Sequence, residues 1–311
     1  MSAMGTLYVD RSNIAVGLEG DCLVLRTRDE RAGTVPIKLL KRVVVLGSIV
    51  VESAALRRLA LEGVSVVFLS GRRGRFAFRI TGRLHNHGLL RLKQYEKASG
   101  DFALEFSKNL IGKKLSAQEE FLQKVLGNAA RRAAILSASQ VIAALKGRLP
   151  SVQEVETLRG IEGGASAQYF AAYGTLFAPS LEFRGRNKRP PRDPVNALLS
   201  FLYTLVHFEL VREIELIGLD PTIGFYHGFQ YGRESLACDL MEPYRPAVDE
   251  LVWKLFSQKT LKPRDFVRKA GGCYLKKPAR ARLYPLYEQW AEPMRSFWRQ
   301  EVQLLARRLL E

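Results

Sequence analysis

Cysteine is scarce: Cys22, Cys238 and Cys273 are the only three in 311 residues, odd in number and far apart. That spacing excludes a disulfide framework or a paired-cysteine zinc knuckle and leaves them as reduced packing residues. Histidine is almost as rare, with four in the chain, so each can be weighed singly. Acidic side chains are in deficit, 31 against 48 Lys and Arg, which leaves a formal charge of +17. A positive field of that size concentrates polyanions, so nucleic acid is the expected partner; the blander alternative is a merely basic protein. Long apolar runs are missing too, and no basic segment followed by an apolar run opens the chain. The expectation is a soluble intracellular protein with no membrane span.

What is present divides in two. Up to about residue 86 the chain shows short β-branched runs punctuated by turn residues: Thr6 to Val9, Ile14 to Leu18, Cys22 to Leu25, Arg42 to Leu46, Val64 to Leu69 and Phe76 to Ile80. These spacings predict strands, with one short helix over Glu52 to Leu61. Near residue 88 the period lengthens: Phe102, Phe106 and Leu110 recur every four residues, along one helical face. Helices are expected over 89–112, 117–145, 151–160, 163–178, 194–217, 235–257 and 286–310. The fold class is therefore α+β, with a β-rich domain over 1–87 and a larger all-α domain over 88–311.

Positive charge gathers in two places. Arg72, Arg73, Arg75 and Arg79 crowd one tip of the β-rich part. From Pro179 to Asp193, helix assignment fails: Arg184, Arg186, Lys188, Arg189 and Arg192 surround Pro190 and Pro191. Composition predicts a basic, flexible loop there, either a solvated linker or an arm that orders on DNA.

Of the histidines, His85 and His87 fall at the domain boundary and His207 lies inside an apolar helical run. His227 is different, because Gly218, Pro221, Gly224 and Gly228 fix it at a turn. Downstream, Asp239 and Glu242 are three residues apart and share a helical face. Upstream, Glu162 is flanked by Gly160, Gly163 and Gly164. Each glycine inside a helix costs roughly 1 kcal/mol relative to alanine, and close backbone approach is one explanation for them there. Two carboxylates and one imidazole make an O/N donor set that suits Mg²⁺ or Mn²⁺ better than structural zinc. The structural alternative is three unrelated polar residues at helix ends.

At these residues the chain resembles the CRISPR-associated endonuclease one family, the integrase subunit of CRISPR spacer acquisition. The resemblance rests on the opening Leu7-Tyr8-Val9 strand, on Leu158-Arg159-Gly160-Ile161-Glu162-Gly163 with Tyr169 beyond it, and on Arg189-Pro190-Pro191-Arg192-Asp193-Pro194-Val195-Asn196. Gly218-Leu219-Asp220-Pro221, Gly224-Phe225-Tyr226-His227 and Asp239-Leu240-Met241-Glu242-Pro243-Tyr244-Arg245-Pro246 complete it. It implies an N-terminal β-sandwich for dimerisation and a helical catalytic domain. It also implies metal ligands at Glu162, His227 and Glu242, with Asp239 a further catalytic-site residue that binds the metal directly or through water. Implied partners are DNA that is double-stranded, branched or single-stranded at its ends, a second copy of the chain, and a small companion adaptation protein, all in the prokaryotic cytoplasm. Tyr169, two turns past Glu162, is a candidate neighbour of the site or a packing aromatic. Asn196 is expected to cap its helix or touch the DNA backbone, and Arg245 to meet phosphate, Glu242 or Asp239. Rival functions are a non-catalytic nucleic-acid scaffold and a structure-specific or transposon-associated nuclease.

Overall fold

The computed structural model describes residues 5–311 except 29, 71–74, 83, 84, 86, 128, 188 and 189. The chain divides into two units, Met1–His85 with Lys276–Glu292, and Asn86–Leu275 with Pro293–Glu311.

In the first unit the β-branched runs become β1 (Thr6–Val9), β2 (Ile14–Glu19), β3 (Cys22–Arg26), β4 (Arg31–Pro36), β5 (Arg42–Val45) and β6 (Ile49–Val51). Helix α1 (Ser53–Leu61), β7 (Ser65–Ser70) and β8 (Arg75–Ile80) follow. They form two four-stranded sheets, ordered β1-β5-β7-β8 and β4-β3-β2-β6. Pairs β1–β5, β5–β7 and β2–β6 are parallel; β2–β3, β3–β4 and β7–β8 are antiparallel. Gly20, at φ 56°, makes the tight turn between β2 and β3, where Glu19 pairs with Cys22. Both sheets and α1 feed one apolar core that includes Val9, Ile14, Leu23, Val43, Leu59 and Val66. Strands β4 and β6 escape a reading by periodicity, one for its polar Arg31-Ala-Gly-Thr stretch and the other for its three-residue length.

The second unit contains α2 (Gly88–Glu96), α3 (Asp101–Lys124), α4 (Ala129–Gly147), α5 (Val155–Gly174), α6 (Pro194–Ile217), α7 (Ser235–Met241) and α8 (Arg245–Ser257). The strands β9 (Phe266–Lys269) and β10 (Gly272–Leu275) come next, and α9 (Lys277–Leu310) closes the chain. Three expectations are corrected. The helix expected over 89–112 breaks at Gly100, whose φ of 80° suits glycine, and α3 then runs on without a gap. The all-α expectation gives way to a β9–β10 hairpin, because Ala270 and Gly271 both take positive φ, as a type I′ turn requires. Residues 276–292 pack with the strands of the first unit. There Arg280 and Tyr284, one helical turn apart, hold the carboxylate of Asp10 at 2.7 to 2.9 Å, and Tyr284 stacks on Tyr8.

Helix α6 runs over the expected residues. Asp193 caps it by accepting the Asn196 amide at 2.8 Å, Pro194 opens it, and Gly218 closes it at φ 99°. It is apolar nearly all round, long enough to cross a membrane, and 83% buried over its most apolar window, as a core helix would be. Its apolar residues still come in runs of only a few, interrupted by polar ones, among them buried Glu209 and Glu213, which pair with Arg295 and Arg299.

Candidate metal centre

Glu162 projects from the interior of α5, and Glu242 from the short turn between α7 and α8 that Pro243 opens. The helices expected over 151–160 and 163–178 are one helix, so Glu162 does not sit at a break. Both glutamates meet the same cation. Lys114 of α3 donates from Nζ to Glu242 Oε2 at 2.6 Å and also to Glu162 Oε1. Its side chain is 6% exposed, and that of Glu242 5%. An ammonium so buried is tolerated only where carboxylates replace its lost hydration. Ser166, one turn along α5, donates to the same Glu162 oxygen at 2.7 Å, and Arg245 donates to Glu242 Oε1 at 2.7 Å. Burial alone would raise the pKa of both acids, but Lys114 holds Glu162 below the usual range, and Arg245 with Lys114 holds Glu242 far below it. Both are carboxylates at neutral pH.

The imidazole is positioned by a carboxylate that makes no contact with Lys114. Asp239 is fully buried in α7 and accepts the backbone N–H groups of Phe225, Tyr226 and His227 at 2.6, 3.0 and 2.8 Å. Its Oδ1 also lies 2.7 Å from His227 Nδ1. An anionic acceptor at Nδ1 keeps the ring proton there and leaves Nε2 with its lone pair. Carboxylates orient metal-binding imidazoles in this way. With both oxygens engaged, Asp239 is a positioning residue. Close backbone approach occurs at Gly224, where a Cβ would lie 2.7 Å from Asp239 Oδ2 and 2.9 Å from the backbone of Ser235. It does not occur beside Glu162, since a Cβ on Gly160 or Gly163 would meet nothing within 4 Å.

These residues fit a hard divalent ion. Two ionised carboxylates already share one cation, and the nearby imidazole, close enough to Glu242 to help lower its pKa, presents a free nitrogen. Among the described residues no three His, Cys, Asp or Glu side chains form a ready ion-holding group as they stand, and Lys114 lies between the two glutamates.

Several candidate DNA contacts prove structural. Tyr169 is fully buried and donates to Asp249 Oδ2 at 3.0 Å. Asn196 is equally buried: its side chain accepts from Arg186 and the Asn187 amide and donates to Gly185 O and Asp193. The helix cap is Asp193, three residues earlier. Arg186 bonds Asn196 and Ser200 and packs against the Tyr203 ring, which pins the expected flexible loop to α6. Arg245 pairs with Glu242 and stacks 4.7 Å from the centre of the same ring. Arg184 and Arg192 are exposed. Arg72, Arg73, Lys188, Arg189 and the side chain of Arg75 lie outside the described residues. His87 caps α2, and His207 faces Glu234 at 3.0 Å.

The residue that the motifs miss is Lys114. Its signal was present: it shares an α3 face with Leu110, Ile111, Leu115 and Gln118, all buried, and a lysine on such a stripe needs a carboxylate partner.

The family model for CRISPR associated protein Cas1 matches residues 7–289. CRISPR-associated endonuclease Cas1 1 from Thermodesulfovibrio yellowstonii is 46% identical over 314 residues, 99% of this chain and 98% of that relative. A CAS1 protein structure from Thermotoga maritima has the same fold, with a TM-score of 0.88 at 24% identity over 99% of this chain and 97% of that one. A casposase bound to integration product is also similar, with a TM-score of 0.82 at 20% identity over 98% and 91% of the two chains. On a family match across nearly the whole sequence and a relative 46% identical over almost the full length of both chains, the chain belongs to the CRISPR-associated endonuclease Cas1 family.

Proposed function

We propose that the chain is a CRISPR adaptation integrase and metal-dependent DNA endonuclease, with Glu162, Glu242 and His227 Nε2 as ligands of Mg²⁺ or Mn²⁺. The observation that carries this reading is the convergence of Glu162, from α5, and Glu242, from the turn between α7 and α8, on a single cation beside an imidazole whose proton is fixed by Asp239. When bound, the ion would polarise a non-bridging phosphate oxygen and stabilise charge developing on phosphorus.

The protein's own groups do the rest. Glu162 and Glu242 supply ionised oxygens, each fixed by a second partner, Ser166 or Arg245. Asp239 orients the imidazole. The exposed Arg184 and Arg192, within the chain's excess of positive charge, attract the DNA backbone without reading its sequence. With the 3′-hydroxyl of a captured fragment as nucleophile, transesterification joins it to a repeat; with water, the strand is nicked. A homodimer working with a dimer of the companion protein is the proposed assembly. In support, a Cas6-RT-Cas1–Cas2 complex contains a chain of this fold.

Strand transfer of a short duplex into a supercoiled repeat-bearing plasmid, with Mn²⁺ and the companion protein, tests the reading. Glu162→Ala, His227→Ala and Glu242→Ala are each expected to abolish product while metal-independent DNA binding persists. Full activity in both Glu162→Ala and His227→Ala would remove the ligand assignment.

A further inference from the structure

Lys114 is an unusual neighbour for a metal centre. Its ammonium stands between the two glutamates, 2.6 Å from Glu242 Oε2 and bonded to Glu162 Oε1, with its side chain 6% exposed. Arg245 adds a second positive charge on the other oxygen of Glu242. Two carboxylates therefore face two fixed cations, and the charge of that pair is compensated before any metal arrives. Adding a divalent ion to the same carboxylates leaves a net positive charge in a largely buried site, even with the carboxylate of Asp239 behind the imidazole counted. Like charges at such separations repel strongly when water is excluded. Two routes restore balance: the ammonium leaves the carboxylate pair, or an anion enters with the metal. A phosphodiester would serve both, because it brings negative charge and offers the ammonium a new acceptor. The lysine stem is anchored on α3 but flexible enough to redirect its head group.

We propose that Lys114 makes metal loading conditional on a bound DNA phosphate, so that metal and DNA bind cooperatively. This rests on Glu162 and Glu242 being metal ligands. Lys114 is a positioning residue that acts through the charge of that pair. Linkage requires the effect to be reciprocal: the metal tightens DNA as much as DNA tightens the metal.

The test is Mn²⁺ affinity of the full chain, measured by loss of the free-ion electron paramagnetic resonance signal. It is run alone and with a short phosphorothioate duplex, after subtraction of Mn²⁺ bound by duplex alone. For the wild type, DNA is expected to tighten Mn²⁺ by about 10- to 100-fold, within the range usual for coupled sites. Lys114→Met, purified with Mn²⁺ to keep it folded, is expected to bind the ion without DNA as tightly as the wild type does with it. Lys114→Arg, which keeps the charge, should retain the coupling. Equal Mn²⁺ affinity of the wild type with and without duplex overturns the proposal, even where Glu242→Ala abolishes binding and so upholds the ligand assignment. Mn²⁺ binding unaffected by Glu162→Ala and Glu242→Ala overturns both.

Discussion

Asp239 holds His227 twice, at its backbone amide, 2.8 Å away, and at its ring Nδ1, 2.7 Å away. Orientation of the imidazole and the path of the preceding loop are thus set by one buried carboxylate. Asp239→Asn nearly preserves volume but presents an NH₂ group where only acceptors fit. Leaving a buried amide unpaired costs about 1–3 kcal/mol, and loss of an orienting carboxylate typically lowers metal affinity about 10- to 100-fold. Urea denaturation and Mn²⁺ titration should both register the change. His227→Ala should lose metal affinity with a much smaller loss of stability, and equal stability losses in the two variants would contradict the division of labour.

Two glycines near the centre should respond in opposite directions. A Cβ at Gly224 would collide with Asp239 Oδ2 and the Ser235 backbone, whereas one at Gly163, inside α5, meets nothing within 4 Å. Gly224→Ala is expected to destabilise by about 1–3 kcal/mol, as overpacking does. Gly163→Ala should stabilise by about 0.5–1 kcal/mol through helix propensity alone. Melting temperatures of the two variants give the signs directly.

Burial raises the Asp249 pKa to about 6, although hydrogen bonds from Tyr203 and Tyr169 and the charges of Arg186 and Arg245 oppose that rise. A carboxyl whose folded pKa exceeds its unfolded value holds its proton more tightly when folded. Its contribution therefore falls as pH rises from its ordinary value of 3.8 to about 6, by ~3 kcal/mol at most, and is flat above. Asp249→Asn removes that slope. Across pH 5 to 7 the variant should gain stability relative to the wild type in parallel urea titrations; a constant difference would show that Asp249 does not titrate there.

Arg184 and Arg192 are exposed, while Arg186 and Arg245 are tied into the fold. Replacing either exposed arginine by alanine should weaken DNA binding alike for all sequences and reduce the slope of log affinity against log salt by about one. Arg186→Ala should instead lower stability, since Asn196 and Ser200 lose their partner. Fluorescence anisotropy over a potassium chloride series, paired with thermal melts, separates the two classes.

Much of this was legible in the sequence because it is local. Strand alternation in Ile14–Glu19, the Asp193-Pro194 start and Gly218 end of α6, and the Glu162, His227 and Glu242 motifs are patterns over a few neighbours. The rest depends on partners distant in the chain. Nothing near Lys114 announces Glu162 or Glu242, nothing near Tyr169 announces Asp249, and Arg280 finds Asp10 only in the folded unit. Glycines are ambiguous for a related reason: close approach is one explanation for those at 160 and 163, where the helix face is open, and Gly224, where crowding is real, reads as ordinary turn chemistry.

The unbroken course of α5 makes chain length itself a constraint. Each residue added or removed between Val155 and Glu162 would swing the carboxylate about 100° around the helix axis and carry it away from its partners. Residues 229–232, exposed between His227 and Glu242, bear no such burden, because Asp239 clamps the loop upstream of them. Natural variation in length should accordingly accumulate in the second stretch and be purged from the first.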